Sequence, residues 1–96
     1  MLIGLKKLNI VNEGYGNITF SSGTIYVNPS HIISVQDYVG AKNLLLREGS
    51  KSYVDDSFSL VRVNSTNKVE EIIVFGSSEE IFGKLNKNKQ RELLNG

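Results

Sequence analysis

Between Val69 and Phe75 the chain reads VEEIIVF, a strand with apolar side chains on both of its faces. Alternate residues of a strand point to opposite sides. Val69, Ile73 and Phe75 therefore share one face with Glu71, while Ile72 and Val74 occupy the other. Such a strand must be covered twice. It lies at the centre of a sheet between two layers, or it meets another molecule. Phe58 to Asn64 precedes it, separated by Ser65-Thr66-Asn67, and the two segments read as an antiparallel hairpin.

The rest of the chain follows from that requirement. Leu2 to Val11 reads as a first strand and Asn12 to Asn17, with Gly14 and Gly16, as a turn. In ITFSSGTIYV, Ile18 and Phe20 share a face of a first arm and Ile25 and Val27 a face of a second, with the small residues Ser21-Ser22-Gly23 between them. That pattern predicts a short hairpin with a three-residue loop. Asn28-Pro29 breaks the ladder, because proline has no N–H to donate. Ile32 to Tyr38 reads as a strand with Ile33 and Val35 on one side, and Gly40 opens a turn. Asn43 to Arg47, NLLLR, reads as a short apolar strand, and Glu48 to Ser57 as an exposed loop in which Tyr53-Val54 could form a short strand.

Ser77-Ser78-Glu79-Glu80 then has the form of a capping box, in which the serine hydroxyl and the glutamate each satisfy a free N–H of the other. The helix it opens carries Ile81, Phe82 and Leu85 as its apolar stripe and leaves the core near Lys87. The expected fold is α+β and mainly β: a small antiparallel sheet or partly open barrel of roughly five to seven strands with one C-terminal helix. Residues 1–87 form the single domain and residues 88–96 a basic extension.

The run from Ile25 to Pro29, the strand Ile32 to Val35 and the ending Val74 to Leu85, with Ser78-Glu79-Glu80-Ile81 and Lys84-Leu85, resemble the small flagellar protein family FlbD and similar short phage and bacterial proteins. The resemblance implies a strand-rich, non-catalytic accessory fold. The longer middle section and the basic end set this chain apart from that pattern.

Composition narrows the chemistry. With no cysteine there is no disulfide, thiol nucleophile or thiolate metal site, in keeping with a reducing cytoplasm in a bacterial or phage-infected cell. No apolar run approaches the roughly 20 residues that span a bilayer, so no membrane partner is expected, and the N-terminus lacks a signal-peptide pattern. Usage rich in Asn, Lys, Ile and Ser is common in AT-rich genomes, phages included. His31, the single histidine, follows a Pro-Ser turn with no paired nucleophile, and one histidine without cysteine is a poor zinc set. Asp55-Asp56 lacks EF-hand spacing and reads as a solvated turn. Glu70-Glu71 are neighbours that point apart, and Glu79-Glu80 serve the helix start. No enzymatic activity and no cofactor are expected.

Charge is unevenly spread. Residues 84–96 hold Lys84, Lys87, Lys89 and Arg91 against Glu92, a local net of +3, which leaves −2 on residues 1–83. Lys84, Lys87 and Arg91 are spaced for one helical face, and with Lys89 they are the candidate nucleic-acid contacts. Tyr15, Tyr26, Tyr38 and Tyr53 are candidate base-stacking groups, although tyrosine is also ordinary strand packing. Ile72 and Val74 on the two-sided strand, with Leu93 and Leu94 beyond the helix stripe, are the candidate interface. The leading expectation is a non-catalytic binding or assembly module, homo-oligomeric or bound to another protein and encoded by a phage. The first alternative is an RNA- or DNA-binding regulator, for which the strand-rich body resembles small RNA-binding β proteins of the CsrA and Sm-like kinds. A further alternative, an inhibitor of a host defence or transcription component, has no residue pointing to it.

Overall fold

A computed structural model describes residues 1–48 and 53–95, with side chains described as far as Lys87. Strand β1 (Ile3–Asn12) pairs with β2 (Ile18–Val27), and a 3-10 turn at Pro29–His31 leads into β3 (Ile32–Asp37). Helix α1 (Val39–Arg47) follows, then β4 (Phe58–Ser65), β5 (Lys68–Phe75) and helix α2 (Ser78–Asn95). The strands form one antiparallel sheet in the order β2-β1-β5-β4-β3. The α+β, mainly β, class expected from the sequence is the observed one. Five strands are present among the described residues, and the sheet is open.

β5 is the central strand, as its two apolar faces require. Ile72 and Val74 belong to a core cluster with Ile3, Leu5, Val27, Val61, Val63 and Ile81. Ile73 and Phe75, on the opposite face, pack against a second cluster of Leu8, Ala41, Leu45 and Phe58. Helix α2 thus covers one face through Ile81 and Leu85, and α1 covers the other through Ala41 and Leu45. The chain itself buries Ile72 and Val74, which are 5% and 0% exposed, so their apolar character is satisfied without a second molecule.

Three local expectations are corrected. First, ITFSSGTIYV is one continuous strand, paired with β1 from Asn12↔Ile18 to Ile3↔Val27. The change of apolar parity across Ser21-Ser22-Gly23 has another cause. In β1, Ile3 and Leu5 join the first cluster and Leu8 the second, so the ribbon passes from one layer to the other near Lys7, its single pairing with β5. Gly23 and Ser22 stand opposite Lys7 and Leu8, where small side chains permit a strong local twist.

Second, NLLLR is the second half of α1, and Gly40 lies within that helix. Ala41 and Leu45, four residues apart, are buried together, which is helical spacing. Ala41 lies outside the apolar run Asn43 to Arg47, so that run alone does not show the helical period. A Cβ at Gly40 would lie 2.8 Å from the end of the Tyr38 ring, so a larger residue there would displace that ring. Third, Tyr53 and Val54 form part of a turn, and Tyr53 sets its ring edge-on to Phe75 at 5.2 Å. Of the loop expected from Glu48 to Ser57, residues 49–52 lie outside the described residues.

Candidate interaction surface between β3 and α2

The turn between β5 and α2 is fastened from four sides. Gly76 adopts φ 113°, a region that favours glycine. Its N–H donates to the Ser57 carbonyl at 2.8 Å, and its carbonyl accepts from the buried Ser59 hydroxyl at 2.7 Å. The expected cap is present in one direction. The Ser77 hydroxyl accepts from the Glu80 N–H at 3.2 Å, while the Glu80 carboxylate takes the Ser77 hydroxyl at 3.3 Å rather than the backbone N–H. The fourth fastening comes from a distant strand: Asp37, at the end of β3, accepts the Ser78 N–H at 2.8 Å. This bond to the backbone, with a second from the Ser78 hydroxyl, holds the Asp37 carboxyl below its ordinary 3.8. A cap supplied from a distant strand leaves no local spacing to detect. An anion site at this helix start is unnecessary, because the Ser78 and Glu80 N–H groups already have acceptors.

So anchored, α2 runs back along β3, over β3 and β4. Between helix and strand lies an open groove of about 460 Å³ lined by Ile33, Val35, Glu79, Phe82 and Leu85 among others. Two residues expected in the core form its rim. The ladder slips between Ile32 and Ser34, a bulge that turns Ile33 outward to 55% exposure while Ile32 and Val35 pack inward. Phe82, expected in the helix stripe, is 61% exposed, whereas Ile81 is buried and Leu85 half-buried. β3 is an edge strand, so its outer backbone groups face this side unpaired by any strand among those described.

The other candidates are dispersed. Lys84 and Lys87 are exposed on α2, while Lys89, Arg91, Leu93 and Leu94 fall where side chains are not described. His31 is exposed and borders a shallow concavity with Tyr26, Asn64 and Glu70. Asp55 and Asp56 are exposed in their turn. Glu70 pairs with Lys68 at 3.3 Å, and Glu71 with Arg62 at 3.5 Å. Among the described residues no three His, Asp or Glu groups converge as metal ligands, and no helix is long and apolar enough to cross a membrane. Tyr15 stands fully exposed at the β1–β2 turn and Tyr26 is exposed on β2, whereas Tyr38 and Tyr53 pack against the second cluster. No family model, curated protein or solved structure matches the chain.

Proposed function

We propose that this chain is a non-catalytic binding and assembly module that receives a partner polypeptide along the outer edge of β3 and the adjoining flank of α2. The phage origin proposed with it rests on residue usage alone. One observation carries the binding reading: Ile33 and Phe82 are exposed across a shared groove, beside the edge strand of the described sheet. A free edge offers backbone hydrogen bonds to an added strand, and flanking apolar side chains supply the burial that makes such addition stable. The rigid fastening of α2 by Asp37 and Ser77 keeps the groove formed before a partner arrives, which lowers the ordering cost of binding.

The test is co-purification from the native source with the wild-type chain and with Phe82→Asp. A partner that is lost from the variant, and that perturbs the amide resonances of Ser34 to Asp37 when added to the wild type, supports the reading. A partner held equally by both chains sinks it.

A second reading, a nucleic-acid contact through Lys84, Lys87, Lys89 and Arg91, is favoured by the exposure of Lys84 and Lys87 and by the net +3 of residues 84–96. Replacing all four by Gln should then abolish low-salt binding to RNA or DNA. Unchanged binding would exclude it.

A further inference from the structure

We infer that the outer edge of β2 is covered by β2 of a second copy of this chain, antiparallel about a two-fold axis at Gly23, so that two sheets join into one. The inference goes beyond the binding reading above and concerns the opposite edge of the sheet.

Among the described strands β2 is hydrogen-bonded to β1 alone, and its ten residues, ITFSSGTIYV, include no charge and no proline. Its register with β1 runs without a slip from Ile18 to Val27. A long strand edge is a template for any other strand. Folded chains guard such an edge with charges, proline or bulges, or they cover it. β2 carries none of the first three, which leaves covering. The other edge stands in contrast: β3 has six residues, slips between Ile32 and Ser34 and ends in a carboxylate, Asp37. It suits a short added segment, whereas β2 offers its whole length.

The side chains of β2 match their own copy. About a two-fold axis normal to the sheet, each residue meets one of the same parity, and both point to the same face. With the axis at Gly23, Phe20 stands opposite Tyr26 of the second copy and Ser22 opposite its Thr24, each pair made twice. Aromatic pairs and Ser–Thr pairs are cross-strand combinations that stabilise a sheet. Tyr26 has surface to give: its ring leans over Gly4, where a Cβ would lie 3.2 Å away, yet it remains 67% exposed. Gly23 meets itself on the axis, where no side chain holds the two backbones apart. Self-pairing sets each charge of a strand near its own kind, and an uncharged strand escapes that repulsion. The charge level with the axis, Lys7 on β1 opposite Gly23, would stand three strand spacings from its counterpart. That is about 14 Å, beyond the screening length of about 8 Å at physiological salt. A foreign strand could use the same backbone groups, but the matches about Gly23 are made by this strand against itself. The contact is isologous, so the assembly closes at two.

The experiment is sedimentation velocity of the full chain from low to high micromolar concentration, with circular dichroism to check folding. The wild type is expected to dimerise. Tyr26→Ser removes both aromatic pairs and should raise the dimer dissociation constant at least tenfold. Ser22→Lys, at an exposed position, should raise it severalfold and serves alone if Tyr26→Ser loses its folded spectrum. Adding Thr24→Glu to Ser22→Lys should recover most of that loss, because position 24 of one copy faces position 22 of the other. The chain has no cysteine, so Gly23→Cys places one thiol on the axis, where a short bismaleimide should link copy to copy. Tyr15→Cys, at the β1–β2 turn, should not link. Phe82→Asp, which tests the β3–α2 reading, should leave the dimer intact, so the two readings fail separately. A monomer throughout, a dimer indifferent to Tyr26 and Ser22, or one that the paired substitution does not restore overturns the inference.

Discussion

Asp37 joins two elements that are far apart in the chain, the end of β3 and the start of α2, by accepting a hydrogen bond from the Ser78 N–H. Its carboxyl is held low by that bond, so the charged form is the stabilising one. A carboxyl whose pKa is lower folded than unfolded contributes fully above the unfolded value and loses its contribution as pH falls through the folded one. Asp37→Asn keeps the size and an acceptor oxygen but removes the charge. Urea unfolding of the variant should show reduced stability above about pH 5 and a difference from wild type that shrinks below about pH 4. A gap that stays constant down to acid pH would show that the charge is not the cause. Nearby Ser59 is fully buried and spends its hydroxyl on the Gly76 carbonyl. Ser59→Ala leaves that carbonyl without its side-chain donor, at a cost of about 1–2 kcal/mol in the same unfolding measurement.

At the level of elements, α2 combines a well-made start with a weak interior. Ser77→Ala removes the acceptor for the Glu80 N–H and should cost about 1 kcal/mol. Gly83 lies in the second turn of α2 with nothing within 4 Å of where its Cβ would be. Gly83→Ala should therefore stabilise the chain by about 0.5–1 kcal/mol, read as a higher urea midpoint at unchanged slope. The same contrast separates what was legible in the sequence from what was not. The β4–β5 hairpin, the turn at Asn12 to Asn17 and the Ser77 cap depend on neighbours within a few residues, and each could be read there. β2 and α1 could not. The parity change in β2 reflects a passage between two layers of core, and the period of α1 begins at Ala41, outside the apolar run that drew attention to it. The candidate surface was the least legible. Ile33 is turned out by a ladder slip on β3, and Phe82 is left exposed because Ile81 and Leu85 suffice to cover the sheet. Both are outcomes of tertiary fit, invisible in a pattern of apolar residues.

The whole molecule is elongated, 52 × 31 × 19 Å, with a Cα radius of gyration of 14.8 Å. A compact domain of this length would have about 12.5 Å. A body so drawn out exposes much surface for its size, which suits a part in an assembly. Its charges are uneven too: residues 84–96 carry a net +3, and Lys89 and Arg91 come later in the chain than any residue lining the groove at Ile33 and Phe82. The two proposed contacts can therefore be separated in one variant. Deleting residues 88–96 removes Lys89 and Arg91 but leaves Asp37, Glu79, Phe82 and every residue of the two core clusters. The truncated chain should unfold within a few degrees of the full one, since none of the clustered side chains is lost. It should also keep whatever partner the groove at Ile33 and Phe82 holds. Any affinity for RNA or DNA should fall, and its dependence on salt should flatten by about 0.9 in log–log slope for each phosphate contact removed from a duplex. If truncation abolished partner binding while nucleic-acid binding persisted, the two roles would have to be exchanged: the tail would hold the partner and the groove would be free for another ligand.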